Sequence, residues 1–319
     1  QIQKIVCNDL ENVNNIIIEN IGNEVPMISE LSKHILAAGG KRIRPIITLL
    51  TSKLCNYDGK NHLSLAACIE FIHTATLLHD DVIDESKLRR GVATANDIFG
   101  NKTSVLVGDF LFSRSFELMV ENGSKEILEV LSSASSTIAK GEVLQLSTVN
   151  DCSTSKETYL NIINSKTASL FAAAAEISAI LSNKNKLIQN ALITYGQKLG
   201  IAFQLTDDAL DYIGSENLGK EIGDDFREGK ITLPVIICIQ KANKEEILFW
   251  SKTIENLNQT DQDLNSALIL MKKYKAIEET LALANQYCSE AINALEVFPP
   301  SEEKLALESL AKIAINRSK

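Results

Sequence analysis

Six cysteines (7, 55, 68, 152, 238 and 288) form no C-x-x-C pair and no knuckle spacing. That pattern excludes a zinc site and a disulfide framework, and it fits a reducing, cytoplasmic setting: a bacterial cytosol or an organelle interior. Basic residues are also short, with 32 Lys and Arg against 41 Asp and Glu and a formal net charge of −9, so no nucleic-acid-binding surface is expected. No apolar run is long enough to cross a bilayer; the most apolar, "LFAAAAEISAILS" and "LPVIICI", fall well short. The opening "QIQKIVCNDLENVNN" lacks a basic segment followed by an apolar block, so no signal peptide is expected in it. It begins on Gln rather than Met, which leaves a trimmed targeting segment open. Nor is there a Ser/His/Asp or Cys/His signature, so no covalent nucleophile is evident.

Proline is the most informative shortage. Of five prolines none falls between Pro45 and Pro234, and a stretch so free of breakers fits a succession of helices. Helical apolar spacing recurs in "LSLAACIEFIHTATLLHDDVID", "SVLVGDFLFSRSFELMV", "EILEVLSSASSTIAKGEVLQL" and "NALITYGQKLGIAFQLTDDALDYI". Breaks rich in Gly, Asn, Asp and Ser separate them, and the start of "TSKETYLNII" reads as a helix cap. No alternating β-branched run bounded by hairpin turns stands out. The expectation is an all-α, single-domain bundle of about ten to twelve or more helices spanning residues 1–319. Its motif-bearing core covers 35–235, and outer packing helices fill 240–319.

What is present in excess is acid, in two places. Asp80, Asp81 and Asp84 stand at i, i+1 and i+4 within "HTATLLHDDVIDESKLRRG", and Asp207, Asp208 and Asp211 repeat the spacing in "FQLTDDALD". On a helix the first and last of each set share a face, a turn apart. Such like charges destabilise a helix by a few tenths of a kcal/mol unless a cation neutralises them. A single D-D-x-x-D also fits an acidic first turn or a solvated face. Two copies, each after an apolar run where carboxylates are disfavoured, weaken that reading. Hard oxygen donors without Cys or His suit Mg²⁺, which takes one or two carboxylates and lets substrate phosphates complete its shell. Two such walls imply a polyanion between them.

Cations for a polyanion collect nearby. "GGKRIRP" sets Lys41 and Arg44 one helical turn apart, and Arg89 and Arg90 follow the first cluster by a short loop. Lys166 and Thr167 lie in "NSKTASLF", Gln204 sits just before the second cluster, and Lys220 and Lys230 bracket "GKEIGDDFREGK". Alone, each reads as an ordinary surface charge; their convergence on loops beside both acidic helices does not. His73 projects from the face of Asp80 two turns earlier.

Taken together, "GGKRIRP", "FIHTATLLHDDVIDESKLRRG", "VLVGDFLF", "GEVLQL", "KTASLF", "GIAFQLTDDALD" and "GKEIGDDFREGKITLP" resemble the trans-isoprenyl diphosphate synthases. The likeness is greatest to the long-chain polyprenyl (octaprenyl, solanesyl, decaprenyl) members. It implies the isoprenoid synthase fold, helices around a deep central cavity. It also implies that Asp80, Asp84 and Asp207 hold Mg²⁺, three ions with substrate bound and Mn²⁺ able to substitute. By the same resemblance Asp80, Asp81, Asp84, Lys166, Asp207, Asp208 and Lys220 form the catalytic set. Arg89, Lys166, Thr167, Gln204 and Lys230 would meet an allylic diphosphate of farnesyl or geranylgeranyl type. Lys41, Arg44, His73 and Arg90 would hold isopentenyl diphosphate, and Lys220 would help the allylic leaving group. A homodimer, a product used for a quinone side chain such as that of ubiquinone, and transient membrane contact for product release complete what is implied.

Product length is expected from small side chains. Ala75 and Thr76, one turn before Asp80, are bulky in short-chain members. A cavity left open there would fill, at about 0.8 kcal/mol per buried CH₂, giving a product longer than about twenty carbons. Phe112, Phe116 and Met119 share a helical face and are candidates for its floor, with ordinary core packing the alternative. Three other readings stay open: a geranylgeranyl synthase, a class I terpene cyclase, whose second metal motif is normally wider and more mixed than "DDALD", and a regulatory subunit, which tends to lose the aspartates kept here.

Overall fold

The computed structural model describes residues 2–37, 40–89, 91–213 and 222–316. Helices run α1 (Ile2–Ile21), α2 (Pro26–Ala37), α3 (Ile43–Leu54), α4 (Asn61–Ile83), α5 (Ala95–Phe99), α6 (Asn101–Asn122), α7 (Lys125–Leu146) and α8 (Lys156–Ile163). They continue as α9 (Ser169–Leu181), α10 (Lys186–Leu210), α11 (Asp224–Arg227), α12 (Leu233–Lys241), α13 (Lys244–Trp250), α14 (Asp261–Lys273), α15 (Ala276–Ala294) and α16 (Glu302–Ile315). The all-α expectation holds. The helices beyond the expected number are short pieces such as α5 and α11, too brief to show a period. One feature had no signal: a two-residue antiparallel ribbon pairs Leu88 with Ala93 and Arg89 with Val92, just after the first aspartate cluster. Helix starts follow their caps; Ser155, in the "TSK" segment, accepts from the Thr158 N–H at 3.0 Å.

α4 is buried nearly all round. Leu65 to Ile69, Phe71 and Ile72 are each no more than 1 % exposed, so the helix runs through the core rather than over it. α6, α3, α1 and α9 pack around it, and α10 lies between α9 and α15. Two buried apolar clusters result. The larger gathers α1, α3, α4, α6, α7, α9 and α10 as far as Ala202; the smaller gathers Ile201, Leu205 and Tyr212 with α12, Trp250 and α14. α10 belongs to both. The C-terminal helices also enter the larger cluster, through Ala291, Leu307 and Ala311, rather than only covering it. Tyr195, fully buried on α10, donates to the carbonyl of Leu307 at 2.8 Å.

Among the described residues no helix is long and apolar enough to cross a membrane. The six cysteines are unpaired; burial pushes the Cys55 thiol up to about 11 and those of Cys152 and Cys238 up to about 12, which leaves them protonated.

Candidate active site

Both aspartate clusters sit at helix C-termini. α4 stops in a Schellman motif: the Ser86 N–H bonds the Asp81 carbonyl at 3.0 Å and the Glu85 N–H bonds the Val82 carbonyl at 3.3 Å. Glu85 takes the left-handed position (φ 51°) that glycine usually fills. Asp80 and Asp81 therefore occupy the last turn and Asp84 is the cap. Likewise Asp207 and Asp208 occupy the last turn of α10, and Asp211 caps it. A helix C-terminus carries partial negative charge, so carboxylates are unfavourable at both places. This removes the acidic-first-turn reading and strengthens the demand for cations.

The two ends face one cleft, with about 1220 Å³ of space including open solvent. Among its described lining residues nine carboxylates stand against three cations, Arg89, Lys166 and Lys230. On the α4 wall each aspartate meets one of them. Lys166 Nζ lies 3.5 Å from Asp80 Oδ2, Lys230 Nζ donates to Asp84 Oδ2 at 2.9 Å, and Arg89 grips Asp81 through Nε (3.0 and 3.1 Å) and Nη2 (2.6 Å). On the α10 wall Asp208 is held by neutral donors. The Tyr159 hydroxyl donates to Oδ2 and the Gln204 amide to Oδ1 at 2.7 Å, while Gln204 Oε1 accepts from Thr167 at 2.9 Å. Asp211 Oδ2 accepts from the Asp225 N–H at 3.2 Å.

Lys166 and Thr167 are presented by a π-helical turn, Asn164–Ala168, between α8 and α9. Widened turns of this kind re-aim side chains and recur at functional sites. Here the turn sends Lys166 between α7 and α4, and Thr167 toward α10.

Burial, opposed by Lys166, leaves the Asp80 carboxyl above the usual carboxylate range. Burial and the nearby Asp225 charge push Asp208 up to about 7, against the hydrogen bonds from Tyr159 and Gln204. Burial and Asp80 push Glu142 up to about 7 as well. Burial would lower Lys230, but Asp225, Asp84 and Glu228 outweigh it and raise that ammonium. All three raised carboxyls reflect burial first, and in each a neighbouring carboxylate adds to it.

Several expected residues lie outside the lining of this cleft. Lys41 and Arg44 do not share a helical turn, because Arg42 between them is left-handed (φ 49°, ψ 33°) and α3 begins only after it. Arg42 pairs instead with buried Glu70, and the Arg44 guanidinium lies 4.5 Å from the centre of the Phe171 ring. Lys41 is exposed and His73 half-buried, and neither lines the cleft, nor does Arg44. Arg90 and Lys220 lie outside the described residues. The cleft's α4 lining ends at Leu77, next to Thr76, whose hydroxyl donates to the His73 carbonyl at 2.7 Å. Ala75 and Met119 are buried, whereas Phe116 is 41 % exposed with its ring 5.1 Å from that of Phe112.

Glu142, Gln145, Tyr159, Asp224, Asp225 and Glu228 had gone unassigned. All but Tyr159 stand inside stretches already singled out, "GEVLQL" and "DDFREGK", where their polarity was the available signal. Tyr159 carried none, since its partner is 49 residues away.

The donor set fits a hard divalent cation. Every ligand-type side chain in the cleft offers oxygen, and none is Cys or His. Among the described residues no three such groups converge on one point. That suits an ion held by one or two carboxylates from each wall and finished by phosphate oxygens better than a self-sufficient protein cage.

Residues 25–271 match the family model described as polyprenyl synthetase. Octaprenyl diphosphate synthase of Escherichia coli (strain K12) is 45% identical over 320 residues, covering 100% of this chain and 99% of the relative. All-trans-nonaprenyl-diphosphate synthase (geranyl-diphosphate specific) of Rhodobacter capsulatus is 40% identical over 314 residues, 98% of this chain and 96% of its own. Among solved structures, a polyprenyl synthase from Caulobacter crescentus CB15, complexed with calcium and isoprenyl diphosphate, superposes with a TM-score of 0.97 at 47% identity, covering 100% of this chain and 97% of the other.

Proposed function

The chain belongs to the polyprenyl synthetase family, and from that membership we propose how its two aspartate walls divide the work. It is a trans-prenyltransferase that condenses isopentenyl diphosphate with an allylic diphosphate to build a long-chain polyprenyl diphosphate, the kind of tail that quinones carry. The observation that carries the assignment of roles is the cleft itself, where nine carboxylates, six of them at two helix C-termini, meet three cations among the described lining residues.

Asp80 and Asp84 on one wall and Asp207 on the other are the Mg²⁺ ligands, three ions being taken up with substrate. When bound, Mg²⁺ neutralises the charge that gathers on the leaving diphosphate. Lys166 and Lys230, which pair with Asp80 and Asp84, would offer their ammonium groups to phosphate oxygens of the allylic substrate once those aspartates serve the metal. Arg89 keeps Asp81 with Nε and Nη2 and meets the diphosphate with Nη1. These cations act where negative charge develops on ionisation, so they favour the transition state over the ground state. Thr167 holds Gln204, which in turn holds Asp208. Thr167 and Gln204 border the same diphosphate, and Lys220 assists its departure. Lys41, Arg44, His73 and Arg90 hold isopentenyl diphosphate, whose double bond attacks the allylic cation and then loses a proton. Leu77, Ile162 and Ile163 bound the cleft with apolar surface and keep water from that cation.

Ala75 and Thr76, next to Leu77, lie where a growing tail passes. Phe112 and Met119 close the far end, and Phe116 joins them if a second copy covers its exposed face. That face supports a homodimer: Val105, Leu106, Phe116 and Val120 are 38%, 67%, 41% and 65% exposed, and they fall within about 100° of arc on α6. The chain works as one domain, since α10 contributes to both apolar clusters.

The test is incubation with Mg²⁺, farnesyl diphosphate and labelled isopentenyl diphosphate. Long polyprenyl diphosphates are expected; a cyclic hydrocarbon or no turnover by the isolated chain would overturn the reading. Ala75→Phe and Thr76→Phe should shorten the product on thin-layer analysis after dephosphorylation, and unchanged length in both sinks the tunnel assignment.

A further inference from the structure

The "GEVLQL" segment of α7 lies against the Lys166 turn more closely than ordinary side chains allow. A Cβ on Gly141 would stand 2.8 Å from the Lys166 backbone nitrogen and 2.9 Å from Ser165 Cβ. On the opposite side a Cβ on Gly200 of α10 would stand 2.5 Å from Ala168 Cα. The π-helical turn is thus clamped between two helices that each give up a side chain to reach it.

That approach sets two acceptors on Lys166. Its Nζ is 2.8 Å from Glu142 Oε2, 2.9 Å from Gln145 Oε1 and 3.5 Å from Asp80 Oδ2. The ammonium is therefore drawn toward α7 and away from the aspartate. Glu142 gains little by this: its other oxygen, Oε1, is buried and accepts no hydrogen bond among the described residues. A carboxylate half-satisfied in a buried, acid-rich cleft costs stability.

We propose that Glu142 and Gln145 are positioning residues that hold the Lys166 ammonium off Asp80, keeping that aspartate's oxygens open to the metal and Lys166 aimed at the diphosphate. The inference rests on the assignment of Asp80 as a metal ligand. Without Glu142, Lys166 closes on Asp80 as its strongest remaining partner and competes with the incoming ion.

The experiment is Mn²⁺ titration of the full chain by electron paramagnetic resonance in the presence of inorganic pyrophosphate. Glu142→Gln should weaken Mn²⁺ about tenfold, the usual scale for losing an outer partner of a metal ligand. The melting temperature should hold or rise, because a buried charge is removed. In a Lys166→Ala background Glu142→Gln should add nothing. Gln145→Leu should weaken Mn²⁺, and Gln145→Glu, which keeps an acceptor, should restore it. Loss of melting temperature with unchanged Mn²⁺ affinity, or an effect of Glu142→Gln that persists without Lys166, overturns the inference. Failure of Asp80→Ala to weaken Mn²⁺ would overturn the underlying site assignment instead, so the two failures are told apart.

Discussion

The two aspartate clusters have one spacing in sequence and two electrostatic solutions in the fold. Their middle members make the difference clearest. Asp81 and Asp208 are both buried, at 2 % and 5 % exposure. Asp81 is gripped by a guanidinium, and Asp208 is held by a phenol and an amide. Burial first, and then the Asp225 charge, push the Asp208 carboxyl to about 7, and its neutral donors oppose that less than an Arg fork would. Each aspartate of the α4 wall thus has a cation within reach, Lys166 and Lys230 being shared with Glu142 and Glu228, and these cations can be lent to a diphosphate. The α10 wall keeps at Asp208 a charge that its side-chain donors leave uncancelled, which adds to the pull on an incoming cation.

The largest test asks whether the walls share the metal at all. Asp80→Ala and Asp207→Ala should each cut kcat by roughly 10³-fold or more, several kcal/mol of lost transition-state stabilisation. Single-turnover rates at saturating substrate would show it. A loss below tenfold for Asp207→Ala would mean that the second wall is scaffolding.

Next in size is a contrast in stability between the middle aspartates. Asp81→Asn strands the Arg89 cation, which is 30% exposed, and should destabilise the protein by about 1–3 kcal/mol, reduced from the fully buried case by solvent screening. Asp208→Asn keeps the shape and the Gln204 contact while removing a buried charge, so stability should hold or rise. Denaturant midpoints measured without metal would separate them; equal losses would erase the distinction drawn between the walls.

Much of this was legible beforehand because the spacing i, i+1, i+4 fixes a helical face whatever surrounds it. The aspartates, Lys166, Thr167, Gln204 and Lys230 all reach the cleft from stretches read in sequence. What stayed hidden depended on backbone handedness or long-range approach. Arg42 reverses the chain between Lys41 and Arg44, and an arginine gives no warning of a left-handed turn. Glu85 ends α4 without the glycine or proline that would have marked a C-terminus, so the aspartates' place at the unfavourable end of the helix was invisible. Glu142 and Gln145 stood in view, but their meaning depends on Gly141 meeting a π-helical turn, which no periodicity announces.

The smallest effect is one of pH, and its sign follows from the raised carboxyls. Asp208 and Glu142 titrate near 7 in the folded protein and near their ordinary values of 3.8 and 4.5 when unfolded. Between those values the folded state binds more protons than the unfolded state, so stability from these groups is lost as pH rises toward and through 7. Metal-free protein should therefore melt higher at pH 6 than at pH 8, with a ceiling of about 1.4 kcal/mol per group per pH unit. Going lower reverses the trend, because Glu246, held down to about 2 by Lys273 and Tyr274, and Asp263, also held down, begin to protonate. Asp208→Asn should flatten the slope between pH 6 and 8. A slope that survives Asp208→Asn and Glu142→Gln together would assign it to other groups, the raised Asp80 carboxyl among them, and remove Asp208 from the electrostatic contrast between the walls.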